Sequence, residues 1–251
     1  MTEFSMKIAG AVGQIQSLFE SAPHYFRAYL TEEKADFSVS VQPGDLRFEQ
    51  AELDREAREE GFRRRIFTDP FLERAAIQRA FAEFLFDRQV LLLHGSALAM
   101  DGRGLLFMAR SGTGKSTHTR LWRERFGERV VIINDDKPFA AVTPEGITLF
   151  GSPWSGKHGL DSNISAPLEA ICLLERGRED RVFPLLPEQA LPLLRKQAYC
   201  PQDEEKMERF LRLTAEICEK VPLFRMECTK NPAAALVAQQ AMCPACVPAK
   251  R

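Results

Sequence analysis

The stretch LLFMARSGTGKSTHTRLW, residues 105 to 122, restricts the possible folds more than any other part of the chain. Leu105 to Met108 form an unbroken apolar run of the kind that makes a strand buried on both faces. A glycine-punctuated loop follows at once, and an apolar-periodic helix opens near Lys115. A buried strand running through a short glycine loop into a helix is a unit of α/β folds, whose strand ends present groups to a ligand. Ala109-Arg110-Ser111-Gly112-Thr113-Gly114-Lys115-Ser116 has the spacing of a phosphate-binding loop, with alanine replacing the first glycine. Glycines let backbone amides turn onto phosphate oxygens, and the positive end of the helix dipole adds to their pull. The spacing predicts that Ser111, Gly112, Thr113, Gly114, Lys115, Ser116 and Thr117 hold a nucleotide. Lys115 is expected at the β and γ phosphates, and the Ser116 hydroxyl on magnesium.

A loop that binds phosphate needs partners before it does chemistry. VVIINDDKPF ends a second buried strand with Asp135 and Asp136, where an open α/β sheet faces its ligand. One carboxylate can hold magnesium while the other takes the proton of an attacking hydroxyl. Adjacent carboxylates also oppose each other's ionisation, which raises one of them toward a useful base. His94, within VLLLHGSALAM, is expected on a strand beside the loop strand and is a candidate proton partner for Asp135. FGSPWSGKHGLDSN is the other distinctive segment. Lys157 and His158 offer donors for an anionic group, Trp154 a face to stack or pack, and the glycines a close backbone approach.

The remaining sequence sets limits. Among 251 residues, 45% are hydrophobic, enough for a substantial core, and 34 basic residues balance 35 acidic ones. That balance argues against nucleic acid or a membrane as partner, because both call for a clustered positive field. With no secretory leader pattern and no apolar run of membrane-spanning length, a cytoplasmic location is expected. Residues 1–88 read as a small N-terminal α/β portion packing on the core, with strands at MKIAGAVGQI, HYFRAYL and ADFSVSV and a turn at QPGD. A helix after residue 69 carries Ile77, Phe81, Phe84 and Leu85 on one face. Residues 89–242 read as the main core, rich in strands and hairpins, and 243–251 as a tail. Six scattered cysteines behave as small hydrophobes, apart from Cys243-Pro244-Ala245-Cys246, whose spacing suits a metal or redox pair. Glu175 and Arg176, closing the AICLLERG strand, read as an exposed ion pair.

Taken in order, His94-Gly95, a hairpin, SGTGKST and NDDK resemble the catalytic core of the bacterial HPr kinase/phosphorylase family and of ATP-dependent phosphoenolpyruvate carboxykinase. The resemblance implies a P-loop kinase core of that type, with a mixed sheet and hairpins, over roughly residues 90 to 180. It implies Lys115 and Ser116 on phosphate and magnesium, Asp135 as base with His94 tuning it, and Asp136 assisting the metal. It also implies ATP and Mg2+ as cofactors, and homo-oligomers. GSPWSGKHG stands where HPr kinase carries a Glu-x-Arg-Gly strand, so neither phosphorylase activity nor HPr as substrate is expected, and decarboxylation is not expected either. The expected activity is a Mg-ATP-dependent kinase acting on a hydroxyl of a peptide, a protein or a small metabolite. Arg110 or Lys157 would stabilise the transferring charge, with Trp154 and His158 also on the substrate side. The alternatives are a small-metabolite kinase proper and a nucleotide-sensing module without phosphotransfer.

Overall fold

The computed structural model describes residues 2–59, 61–110, 112–201 and 203–246. The chain divides into two compact units, residues 1–87 and 88–251.

In the first unit β1 (Thr2–Ile8) and β2 (Ala11–Ser17) form an antiparallel hairpin. HYFRAYL is not a strand: α1 (Ala22–Tyr25) and a 3-10 turn at Arg27–Tyr29 take its place. Phe26 and Tyr29 are thereby buried from a helical spacing, which a period-two reading misassigns. β3 (Phe37–Ser40) then joins β2 in parallel. The expected QPGD turn instead opens α2 (Pro43–Glu59), since proline is at home in a first helical turn and Asp45 suits the helix N-terminus. α3 (Asp69–Phe86) buries Ile77, Phe81 and Leu85, with Phe84 stacked on Phe37.

The second unit is a curled mixed sheet with helices. β4 (Val90–Leu92) and β5 (Ser96–Met100) divide what the sequence read as one strand, and His94 lies in the break between them. β6 (Arg103–Met108) pairs antiparallel with β5 through a tight turn at Asp101-Gly102, and α4 (Lys115–Phe126) follows the glycine loop. β7 (Val130–Asn134), β8 (Phe139–Thr143), β9 (Gly146–Phe150) and the long β10 (Ser165–Arg176) come next. β11 (Arg181–Pro184), α5 (Pro187–Lys196), α6 (Glu204–Lys220), β12 (Leu223–Cys228) and α7 (Ala233–Met242) complete the unit. The sheet order is β4-β8-β9-β10-β6-β5-β7, with β12 parallel to β10 and β11 antiparallel to β12.

β6 lies between parallel β10 and antiparallel β5, with Leu105 to Met108 fully buried. This explains the unbroken apolar run, because each such side chain removed from water stabilises the fold by about 1.5–3 kcal/mol. The core under α4 joins Phe107, Leu121, Trp122, Cys172, Leu174 and Met226, and α7 closes it with Ala234, Ala235 and Ala238. Cys243 and Cys246 belong to the same core and are joined as a disulfide. The expected tail is therefore corrected at its start: Pro244–Cys246 form a 3-10 turn, and Cys243 and Cys246 are buried in the core. Residues 247–251 lie outside the described residues. Among the described residues no helix is long and apolar enough to cross a membrane.

Candidate functional site

β6 delivers the glycine loop to the end of the sheet. Gly112 and Gly114 adopt φ of +74° and +120°, conformations that a side chain would strain, and both are open enough that a Cβ would meet nothing closer than 3.9 Å. Gly114 is the N-cap of α4 and supplies no side-chain cap, and the first amides of a helix have no partner within the helix itself. The amide of Thr113 donates within the loop to the Arg110 carbonyl at 3.1 Å. Arg110 is exposed, whereas Lys115, Ser116 and Thr117 are half-buried in the first turn. Ser111, expected to contact the nucleotide, lies outside the described residues.

The loop lysine and one of the strand-end aspartates converge on His94. Lys115 Nζ lies 3.4 Å from His94 Nε2 and 3.4 Å from the Ala109 carbonyl, while His94 Nε2 lies 3.2 Å from Asp136 Oδ1. His94 was expected to serve Asp135, but its partner is the neighbouring carboxylate. Successive residues leaving a strand point to opposite sides, and the side facing His94 is that of Asp136. Burial lowers the His94 pKa, with Lys137 and Lys115 acting the same way and the Asp136 hydrogen bond opposing them. Burial also works against charge on Asp136, but the His94 hydrogen bond and the positive charge of Lys137 outweigh it and lower its pKa. His94 Nε2 therefore lies between a carboxylate and an ammonium, and the nearer contact is to Asp136.

Asp135 is arranged differently. It is 2% exposed, its Oδ1 accepts the Gly156 amide at 2.6 Å, and its buried Oδ2 has no hydrogen-bond partner among the described residues. Burial raises its pKa, opposed by the Gly156 hydrogen bond and reinforced by the charge of Asp136. The sequence reading assigned the rise to the neighbouring carboxylate, but desolvation is the larger cause. A Cβ on Gly156 would sit 3.3 Å from both carboxylate oxygens, so glycine here permits the close approach. The segment 156–160 clamps Asp135 twice, because the Asp135 amide also donates to the Leu160 carbonyl at 3.1 Å. Lys157 and His158 are exposed at the tip of this turn. Trp154 is not: it is 6% exposed and packs edge-on to Phe139, so the expected stacking face is a core contact instead.

Three further residues build the site in roles that the sequence did not assign to them. Asn134 accepts the amides of Asp136 and Lys137 at 2.7 and 2.6 Å and donates to the Ser152 carbonyl at 2.7 Å, fixing the bend after β7. Gln197, just past α5, donates to the Ala109 carbonyl at 2.5 Å and accepts the His94 amide through its own carbonyl at 2.6 Å. Arg176 donates to the Gly112 carbonyl at 2.6 Å, while Glu175 pairs with Arg225 at 2.9 Å, so the expected Glu175–Arg176 pair is replaced by two separate contacts. Asn134 is legible as the residue before two aspartates, whereas nothing local marks Gln197 or Arg176.

Among the described residues no group of three or more His, Cys, Asp or Glu side chains could hold a metal. The oxygen donors that remain, Ser116 on α4 and the ionised Asp136, are hard ligands of the type magnesium takes when it also keeps water and phosphate oxygens.

No curated protein matches the chain. Among solved structures it is similar to the Hpr(Ser) kinase/phosphatase from Coxiella burnetii, at 10% identity and a TM-score of 0.34, covering 59% of this chain and 94% of that one. The family model described as SynChlorMet cassette protein ScmC matches residues 77–231, more than half of the chain, and the chain belongs to that family.

Proposed function

We propose that the chain is a Mg-ATP-dependent kinase that phosphorylates a hydroxyl of a peptide, a protein or a small metabolite. The observation that carries this reading is the buried Oδ2 of Asp135, without a hydrogen-bond partner among the described residues, at the same strand end as the Lys115, His94 and Asp136 cluster. A neutral ligand site has no use for a desolvated carboxylate oxygen, whereas a general base needs one aimed at the proton it will take.

In the proposed reaction the amides at the start of α4 and the helix dipole receive the donor's phosphates, and Lys115 turns from its long contacts onto them. Ser116 and Asp136 would hold magnesium, which when bound offsets charge on the phosphates. The acceptor hydroxyl gives its proton to Asp135 Oδ2 as its oxygen bonds to the γ-phosphorus. The bond from that phosphorus to the β–γ bridging oxygen breaks, and ADP leaves with the electron pair. His94 keeps Asp136 ionised and in place. Arg110, Lys157 and His158, all exposed, are the cationic or donor groups proposed to meet the transferring phosphoryl group and the acceptor. The raised Asp135 pKa means that activity should climb with pH as this carboxyl deprotonates.

The test is incubation with magnesium and γ-labelled ATP, with and without a size-fractionated extract of the source cells, using Lys115→Met as control. Label in an acid-stable product with the wild-type chain alone establishes the kinase, and the size of the labelled fraction selects among the acceptors. Lys115→Met should reduce transfer at least about 100-fold, by removing the charge that spans the phosphates. ATP binding without transfer to any fraction would replace the kinase with a nucleotide sensor.

A further inference from the structure

We infer that Arg176 is a positioning residue for the donor nucleotide, bracing the glycine loop from the end of β10; the inference rests on the nucleotide reading above. Three features of the fold lead to it. β10 runs parallel to β6 with Leu173 beside Met108, and it continues three residues further, so Arg176 stands level with the loop that follows Met108. Side chains alternate along a strand, and Ala170, Cys172 and Leu174 all enter the core beneath α4 together with Ala109 and Trp122. Arg176 is next in that row, and at the point where the core ends its guanidinium reaches the Gly112 carbonyl at 2.6 Å. Glu175, on the alternate face, is turned toward Arg225.

The contact acts through peptide planarity. The Gly112 carbonyl and the Thr113 amide belong to one rigid plane. Arg176 holds the carbonyl end, and the Arg110 carbonyl holds the amide end at 3.1 Å. Gly112 and Gly114, at φ of +74° and +120°, are the flexible points on either side of that plane. With the plane fixed, the freedom at Gly112 is removed and the directions in which the amides of Gly114, Lys115 and Ser116 can leave the loop are narrowed. Without Arg176 the loop would have to be ordered by the nucleotide itself, at the expense of affinity. Arginine suits the role because its charge survives at any working pH and its donors are set in a rigid fork.

The experiment compares wild type, Arg176→Met and Arg176→Lys by calorimetric titration with Mg-ATP, and by the KM for ATP and kcat of label transfer. Loss of one charge-assisted hydrogen bond should raise Kd and KM for ATP about tenfold in Arg176→Met, with kcat nearly unchanged and part of the affinity restored in Arg176→Lys. Hydrogen exchange across 109–117 should quicken in the methionine variant while its Tm stays near that of wild type. Wild-type Kd in Arg176→Met overturns the inference and leaves the nucleotide reading standing. A fall in kcat with Kd unchanged also overturns it, because it would place Arg176 on the transferring group. If wild type binds no ATP, the nucleotide reading fails first and takes the inference with it. Should the methionine variant not fold, Arg176→Lys decides: an intermediate Kd supports the inference and an unchanged one removes it.

Discussion

The strand end around Asp135 and the interior turn of α4 around His118 pose the same electrostatic problem with different outcomes. Each side chain is 2% exposed and each has one buried atom, Asp135 Oδ2 or His118 Nδ1, without a hydrogen-bond partner among the described residues. Burial drives both toward their neutral forms, raising the aspartate and lowering the histidine to about 4. What separates them is the company they keep. Asp135 sits beside Gly156 and Asp136, at a sheet end beside the glycine loop. His118 lies edge-on to Phe107 at 4.9 Å and accepts the Trp122 indole N–H at 3.1 Å, within the hydrocarbon under the helix. A perturbed group marks a functional site when other polar groups converge on it, and marks packing when aromatic rings do.

The largest test of that distinction removes the charge at the strand end. Asp135→Asn keeps the shape but cannot take a proton, so phosphotransfer should fall about 10²- to 10⁴-fold while ATP binding persists. Stability should move the other way. A carboxyl with a raised folded-state pKa binds its proton more tightly in the native state, so its contribution weakens as pH rises above the unfolded value. At pH 7 the asparagine variant should therefore melt no lower than wild type. Full phosphotransfer in Asp135→Asn would remove the base from the mechanism and make the two regions equivalent.

The second test addresses His118, where only stability should respond. Its folded-state pKa, about 4, lies below the ordinary histidine value of 6.5, so the unfolded chain takes up the proton first. The stability that follows from a neutral buried imidazole is complete above 6.5 and is lost as pH falls toward 4. A difference of about 2.5 units corresponds to about 3 kcal/mol at the acid end. His118→Gln keeps an acceptor for the Trp122 indole and has no proton to gain, so its urea midpoint should depend less steeply on pH between 6.5 and 4.5 than that of wild type. Both tryptophans, Trp122 and Trp154, lie in the second unit, and their fluorescence reports its unfolding. Parallel midpoint curves for the two chains would show that His118 is protonated where it lies.

How much of this was legible in the sequence follows the range of each signal. The loop, its flanking strand and helix, and the strand ending in Asp135 and Asp136 are carried by local patterns, and the structure has them where the sequence placed them. His94 was found, but which aspartate it touches depends on the pairing of β5 with β7 and on the break before β5, which no window of sequence reveals. Trp154 stood open between stacking and packing because an aromatic between glycines reads equally as an exposed platform or a buried anchor, and only neighbours distant in sequence decide. Arg176 and Gln197 lie 64 and 88 residues from the loop groups they hold. Their roles come from parallel pairing and from a helix end meeting the loop, and neither leaves a local pattern.

The smallest effect sharpens the comparison most finely, because it alters the environment of Asp135 and leaves the group itself in place. A methyl at residue 156 would lie 3.3 Å from both Asp135 oxygens, tight enough that the turn or the carboxylate must yield by a few tenths of an ångström. Gly156→Ala should lengthen the 2.6 Å amide hydrogen bond that now favours the ionised form. Weakening that bond raises the Asp135 pKa further, so the acid limb of the pH–rate profile should move to higher pH. At a pH on that limb the rate should fall about tenfold, one unit of pKa, and it should recover at higher pH. His118, remote from this turn in its contacts, should show an unchanged stability slope in the same variant. A rate lowered equally at every pH would instead mean that the turn positions the acceptor, and the Gly156 amide would lose its part in setting the base.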